Sequence, residues 1–63
     1  MKNKVRDARK RNGLTQYDLS LIAGIGQVTV SNVETGRYTP RVDVAIRIAR
    51  ALDSTVESIF ILE

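Results

Sequence analysis

Sixty-three residues with no cysteine, no histidine and a net charge of +3 allow one domain, and a chain this short buries only ~60% of its unfolded surface. Disulfide staples and the common zinc sites are excluded, so the stabiliser most available to such a marginal core is oligomerisation. No apolar run approaches the ~18 residues of a membrane span, and the charged start adjoins no apolar signal segment, so the expected location is cytoplasmic.

Taken in chain order, residues 2 to 11 read as a first helix with a thin apolar stripe, Val5 and Ala8 three apart, closed by Gly13 in a capping place. The second helix begins at Thr15, whose hydroxyl can accept from the Asp18 amide while the Asp18 carboxylate reaches back to the Thr15 amide. Leu14 and Leu19 hold the hydrophobic-staple positions, and Leu19, Ile22 and Ala23 are expected on one inner face. Gly24 then stops the helix, and only Ile25 and Gly26 separate it from a third. That third helix, about 27–35, turns Val30 and Val33 inward and sets Gln27, Val28, Ser31, Asn32 and Thr35 along the opposite face, a stripe of hydrogen-bonding groups with no basic charge.

Gly36 is placed to cap this helix with a left-handed residue, and residues 37–41 form a short loop. A fourth helix is expected from about Val42 to Leu52, with Val42, Ala45, Ile48, Ala49 and Leu52 inward and Val44 and Ile46 as surplus apolar surface. A last short helix starts from a capping hydroxyl at Thr55 or Ser54 and adds Val56, Ile59 and Phe60 to the core. The chain then runs on as Ile61-Leu62, which must either fold over the domain or meet its copy in another subunit; the small core favours the second.

Charge is distributed unevenly. Residues 1–11 carry +5, residues 12–36 carry −2, residues 37–50 carry +3 and the last thirteen carry −3. Two basic segments thus flank a neutral hydrogen-bonding helix, the pattern of a duplex reader whose cations hold phosphates while its amides read base edges; the alternative is ordinary solvated charge, which for residues 1–11 taken alone is the favoured reading.

From Gln16 onward these residues resemble the DNA-binding helix-turn-helix of the phage repressor and Cro family: Leu19 in the first helix, Gly24 at the turn, Ile25 after it, and Val30 and Val33 in the second helix. Ser20 stands where alanine is usual, a departure that adds a hydroxyl needing a partner. Glu34-Thr35-Gly36-Arg37, Pro40, Ala45, Ile48, Ala49, Leu52 and Ile59-Phe60 extend the likeness over about residues 5 to 60.

The resemblance implies an all-α, five-helix, lambda-repressor-like DNA-binding domain over residues 1–63, with its helix-turn-helix at about 15–35 and a dimerisation segment at about 55–63. It implies base contacts from Gln27, Val28, Ser31 and Asn32, and backbone or minor-groove contacts from Gln16, Tyr17, Thr29, Arg37, Tyr38 and Arg41. It also pairs Arg9 with Glu34; physics supports this, since an anion at a helix carboxy terminus, close to phosphates, is disfavoured unless a cation answers it. The alternative is a solvent-facing glutamate with no fixed partner.

The expected function is therefore sequence-specific binding of a pseudo-palindromic duplex by a homodimer joined through Ile61, Leu62 and Ile46, acting on transcription, foremost as a repressor, on the nucleoid. No cofactor, metal or small-molecule ligand is implied. An enzyme is not expected: the chain lacks histidine and cysteine, a glycine-rich phosphate loop and a carboxylate pair in a catalytic frame. The competing reading is a protein-interaction adaptor or antitoxin-like module on the same scaffold, since fold does not fix function.

Overall fold

The computed structural model describes residues 2–61, and these form five helices in the order α1 (Val5–Arg11), α2 (Gln16–Ala23), α3 (Gln27–Glu34), α4 (Val42–Ala51) and α5 (Val56–Ile59). Between Thr15 and Asp18 the reciprocal cap is formed: the Asp18 amide donates to Thr15 Oγ1 at 3.0 Å and the Thr15 amide donates to Asp18 Oδ2 at 2.9 Å. The two hydrogen bonds satisfy amides that the first turn of a helix leaves unpaired. Gly24 ends α2 at φ 69°, and the Ile25 amide reaches back to the Ser20 carbonyl at 3.0 Å. A Cβ at Gly24 would meet nothing within 4 Å, so glycine is required there by the backbone angle and not by packing.

The core collects residues from every helix. Val5, Leu19, Val30, Val33 and Ile48 are wholly buried, with Ile59 nearly so, and Ala8, Ala23, Ala45, Ala49, Leu52 and Phe60 complete the cluster. α2 packs against both α3 and α4, which fixes the angle at which α3 leaves the body. The hydroxyl that distinguishes Ser20 from alanine is buried and donates to the Tyr17 carbonyl at 2.6 Å, so its substitution into the helix contact leaves no unpaired group.

Four expectations are corrected. The first helix begins at Val5, not at residue 2, because residues 2–4 pair with the other end of the chain: Asn3 and Phe60 form an antiparallel bridge, the Lys4 amide donates to the Ile59 carbonyl at 2.7 Å, and the Ile61 amide donates to the Lys2 carbonyl at 3.2 Å. Ile22 is 58% exposed, since the buried arc of α2 runs through Leu19, Ser20 and Ala23 and leaves position 22 on the far flank. Val42 is 76% exposed because it opens the first turn of α4, before the helix reaches the core at Ala45. Val44, by contrast, packs partly against the core.

The hydrogen bonds from Thr15, the backbone one first, hold the Asp18 carboxyl below its ordinary value of 3.8. A lowered carboxyl adds stability that is fully present above the ordinary value and disappears as pH falls through the lowered one. Asp18→Asn is therefore expected to flatten the loss of stability in acid. Denaturation midpoints of the two proteins, followed from about pH 6 to about pH 2, should converge; parallel curves would sink the assignment.

Candidate nucleic-acid interface

α3 is fastened on one side only. Val30 and Val33 are fully buried, whereas Gln27 and Val28 are exposed and Ser31 and Asn32 are half-buried on the opposite side. Val28 is 74% exposed in the middle of that face, an apolar side chain with no part in the core. Thr35, the last residue of the expected stripe, lies beyond α3 and turns its hydroxyl back to the Ser31 and Asn32 carbonyls, at 3.1 and 3.2 Å. Its donor is spent on the helix end.

Among the described residues no side chain caps the start of α3 at Gly26, and no acidic residue lies in its first turn. The positive end of the helix dipole is left uncompensated there, which favours an approaching anion. Thr29 sits half-buried in this first turn. After α3, Gly36 adopts φ 78°, and the Arg37 and Tyr38 amides both donate to the Asn32 carbonyl, at 2.9 and 3.2 Å. That turn swings Arg37, Tyr38 and Arg41 outward into solvent, with Tyr38 38% exposed.

Behind this face lies an ion pair. Arg9 Nε stands 2.7 Å from Glu34 Oε2 and Arg9 Nη2 stands 3.3 Å from Glu34 Oε1, with side-chain exposures of 11% and 3%. Arg9 Nη1 also donates to the Leu14 carbonyl at 2.8 Å, so one guanidinium joins α1, the entry to α2 and the end of α3. Gln16 Nε2 donates to Glu34 Oε1 at 3.2 Å. The amide of Gln16 is thus directed at Glu34, while neighbouring Tyr17 is 56% exposed.

Sequence reasoning missed Asn3, whose Nδ2 donates to the Val33 carbonyl at 2.8 Å and whose Oδ1 accepts from the Val5 amide at 3.1 Å. The one signal available was an asparagine two residues ahead of the first apolar position of α1, a place suited to capping. Nothing local announced the contact to α3, which spans thirty positions. Of the residues expected to join subunits, Ile46 and Ile61 are each 37% exposed, and Leu62 lies outside the described residues.

A helix with an exposed outer face, held by a tight two-helix turn, is matched by a helix-turn-helix family model over residues 5–59. The chain belongs to the helix-turn-helix transcriptional regulators, a family of DNA-binding proteins. An HTH-type transcriptional regulator of Methanothermobacter thermautotrophicus is 44% identical over 64 aligned positions, covering 100% of this chain and 93% of its own. The Bacillus subtilis regulator YgzD is 38% identical, covering 100% of this chain and 96% of its own. The fold is similar to the restriction-modification controller protein C.AhdI of Aeromonas hydrophila, with a TM-score of 0.85 and 28% identity over 90% of this chain and 86% of that one. Among the described residues of this regulator, no helix is long and apolar enough to cross a membrane.

Proposed function

We propose that this regulator binds a pseudo-palindromic duplex as a homodimer and represses transcription by covering its site, which would keep it on the nucleoid. The observation that carries this reading is the outer face of α3, where Gln27, Val28, Ser31 and Asn32 stand free of the core. Each primary amide can make paired hydrogen bonds to the N6 and N7 edge of adenine, and Val28 suits a thymine methyl. Tyr17, Thr29, Arg37, Tyr38 and Arg41 would hold phosphates, Arg41 also reaching a narrowed minor groove, whereas the Gln16 amide is given in part to Glu34.

A two-fold site calls for two copies, since each chain carries one α3 and successive major grooves on one face of a duplex recur about every 34 Å. The half-exposed Ile61 and Ile46 supply apolar surface for the contact. Truncation after Phe60 is expected to weaken association, read by sedimentation at micromolar concentration. A monomeric intact chain would overturn the dimer, and an unchanged dimer after truncation would place the interface elsewhere.

The function itself is tested by titrating duplex binding with salt. A DNA reader should bind mixed-sequence duplex weakly and lose that affinity steeply as salt rises, because each phosphate contact releases counterions. Negligible duplex affinity at low salt would instead mean that the scaffold serves a protein partner.

A further inference from the structure

We propose that Asn3 is a positioning residue for DNA reading, tying the end of α3 to the bridge made by the two ends of the chain. The inference rests on α3 being the reading helix. The Val33 carbonyl belongs to the last turn of α3, in a residue that is fully buried. It accepts from the Gly36 amide at 3.1 Å and from Asn3 Nδ2 at 2.8 Å, so both oxygen lone pairs are used and the second by a side chain from outside the helix.

Asn3 is itself held from two directions. Its Oδ1 accepts the Val5 amide at the start of α1, and its backbone lies in the antiparallel bridge with Phe60, between the Lys4–Ile59 and Ile61–Lys2 hydrogen bonds. One planar amide therefore joins three things: the start of α1, the carboxy-terminal segment and the last turn of α3. Among the described residues, no side chain caps the other end of α3, at Gly26. Ile61, which the dimer reading places at the subunit contact, follows Phe60 directly. A displacement of the carboxy-terminal segment would thus be passed to the reading face through Asn3, and the spacing of two half-sites would be set by the same route.

Asn3→Ser separates the two roles of this side chain. A serine oxygen can still accept at the start of α1, but it is too short to reach the Val33 carbonyl. The variant should fold, and exchange of the Gly36, Arg37 and Tyr38 amides should rise about three- to tenfold while amides of α2 keep their protection. On DNA, the ratio of affinities for the preferred and an unrelated duplex should fall about three- to tenfold, and selection from half-sites of varied spacing should yield a broader set. Asn3→Asp keeps size and acceptor while losing the donor, and repeats the test should the serine variant not fold. Unchanged exchange at those three amides, or a rise spread over the whole chain, overturns the clamp. An unchanged affinity ratio overturns the positioning role if Gln27→Ala lowers the ratio in the same assay. Should Gln27→Ala keep the full ratio, base reading by α3 is what fails and positioning falls with it, while the clamp stands or falls on exchange alone.

Discussion

Replacing Arg9 with methionine is expected to cost about 3 to 5 kcal/mol of folding stability, enough to unfold much of a domain whose total is of the order of 5 kcal/mol. The magnitude follows from burial. With Glu34 3% exposed and Arg9 11%, the pair lies inside the protein, and loss of the cation strands a carboxylate that water cannot reach. An exposed pair of the same geometry would contribute no more than about 1 kcal/mol. Gln16 Nε2 would remain as a neutral donor to Glu34, and the Leu14 carbonyl would lose the Arg9 Nη1 contact, so relief from the first is offset by the second. Glu34→Gln combined with Arg9→Met removes both charges and should be less damaging than Arg9→Met alone. Denaturant titration of the two single variants and the double measures the coupling; a value indistinguishable from zero would reduce the pair to a coincidence of neighbours.

On DNA the largest separations are expected between two sets of variants. Gln27→Ala and Asn32→Ala should each lose about 1 to 3 kcal/mol on the preferred site and almost nothing on unrelated duplex, because a base edge is the only partner that differs between the two. Arg37→Ala and Arg41→Ala should weaken both kinds of binding and reduce the salt slope by about one each. Gln16→Ala belongs to neither set: its amide donates to Glu34, so part of its effect should be seen as lost stability in the absence of DNA. Affinities measured across a salt series on both duplexes decide the matter. Equal losses by the amide variants on both duplexes would mean that Gln27 and Asn32 hold phosphates, and base reading by α3 would have to be abandoned.

Much of this molecule was legible because its signals are local. The Thr15–Asp18 cap, the stop at Gly24 and the alternation of Val30 and Val33 with Gln27, Val28, Ser31 and Asn32 are each set within a few residues, where backbone geometry alone dictates the outcome. The same local reading failed at Ile22 and Val42. Counting apolar spacing assigns a residue to a stripe, but how wide an arc is covered depends on which helices lie alongside, and α2 gave its inner place to Ser20.

By itself, then, the sequence determined the helices, their order, the tight turn between α2 and α3, and which side of α3 is left to face a partner, since capping and helical periodicity act over at most a turn or two. Tertiary structure alone decided what secures that face. The depth at which Arg9 and Glu34 are buried, the turning of Gln16 toward Glu34, and the joining of both chain ends to the last turn of α3 through Asn3 all bring together residues eighteen or more positions apart. No spacing rule encodes such contacts. They form only when packing of the core has fixed where the helices lie, and a hydrogen bond between distant residues then follows from that position.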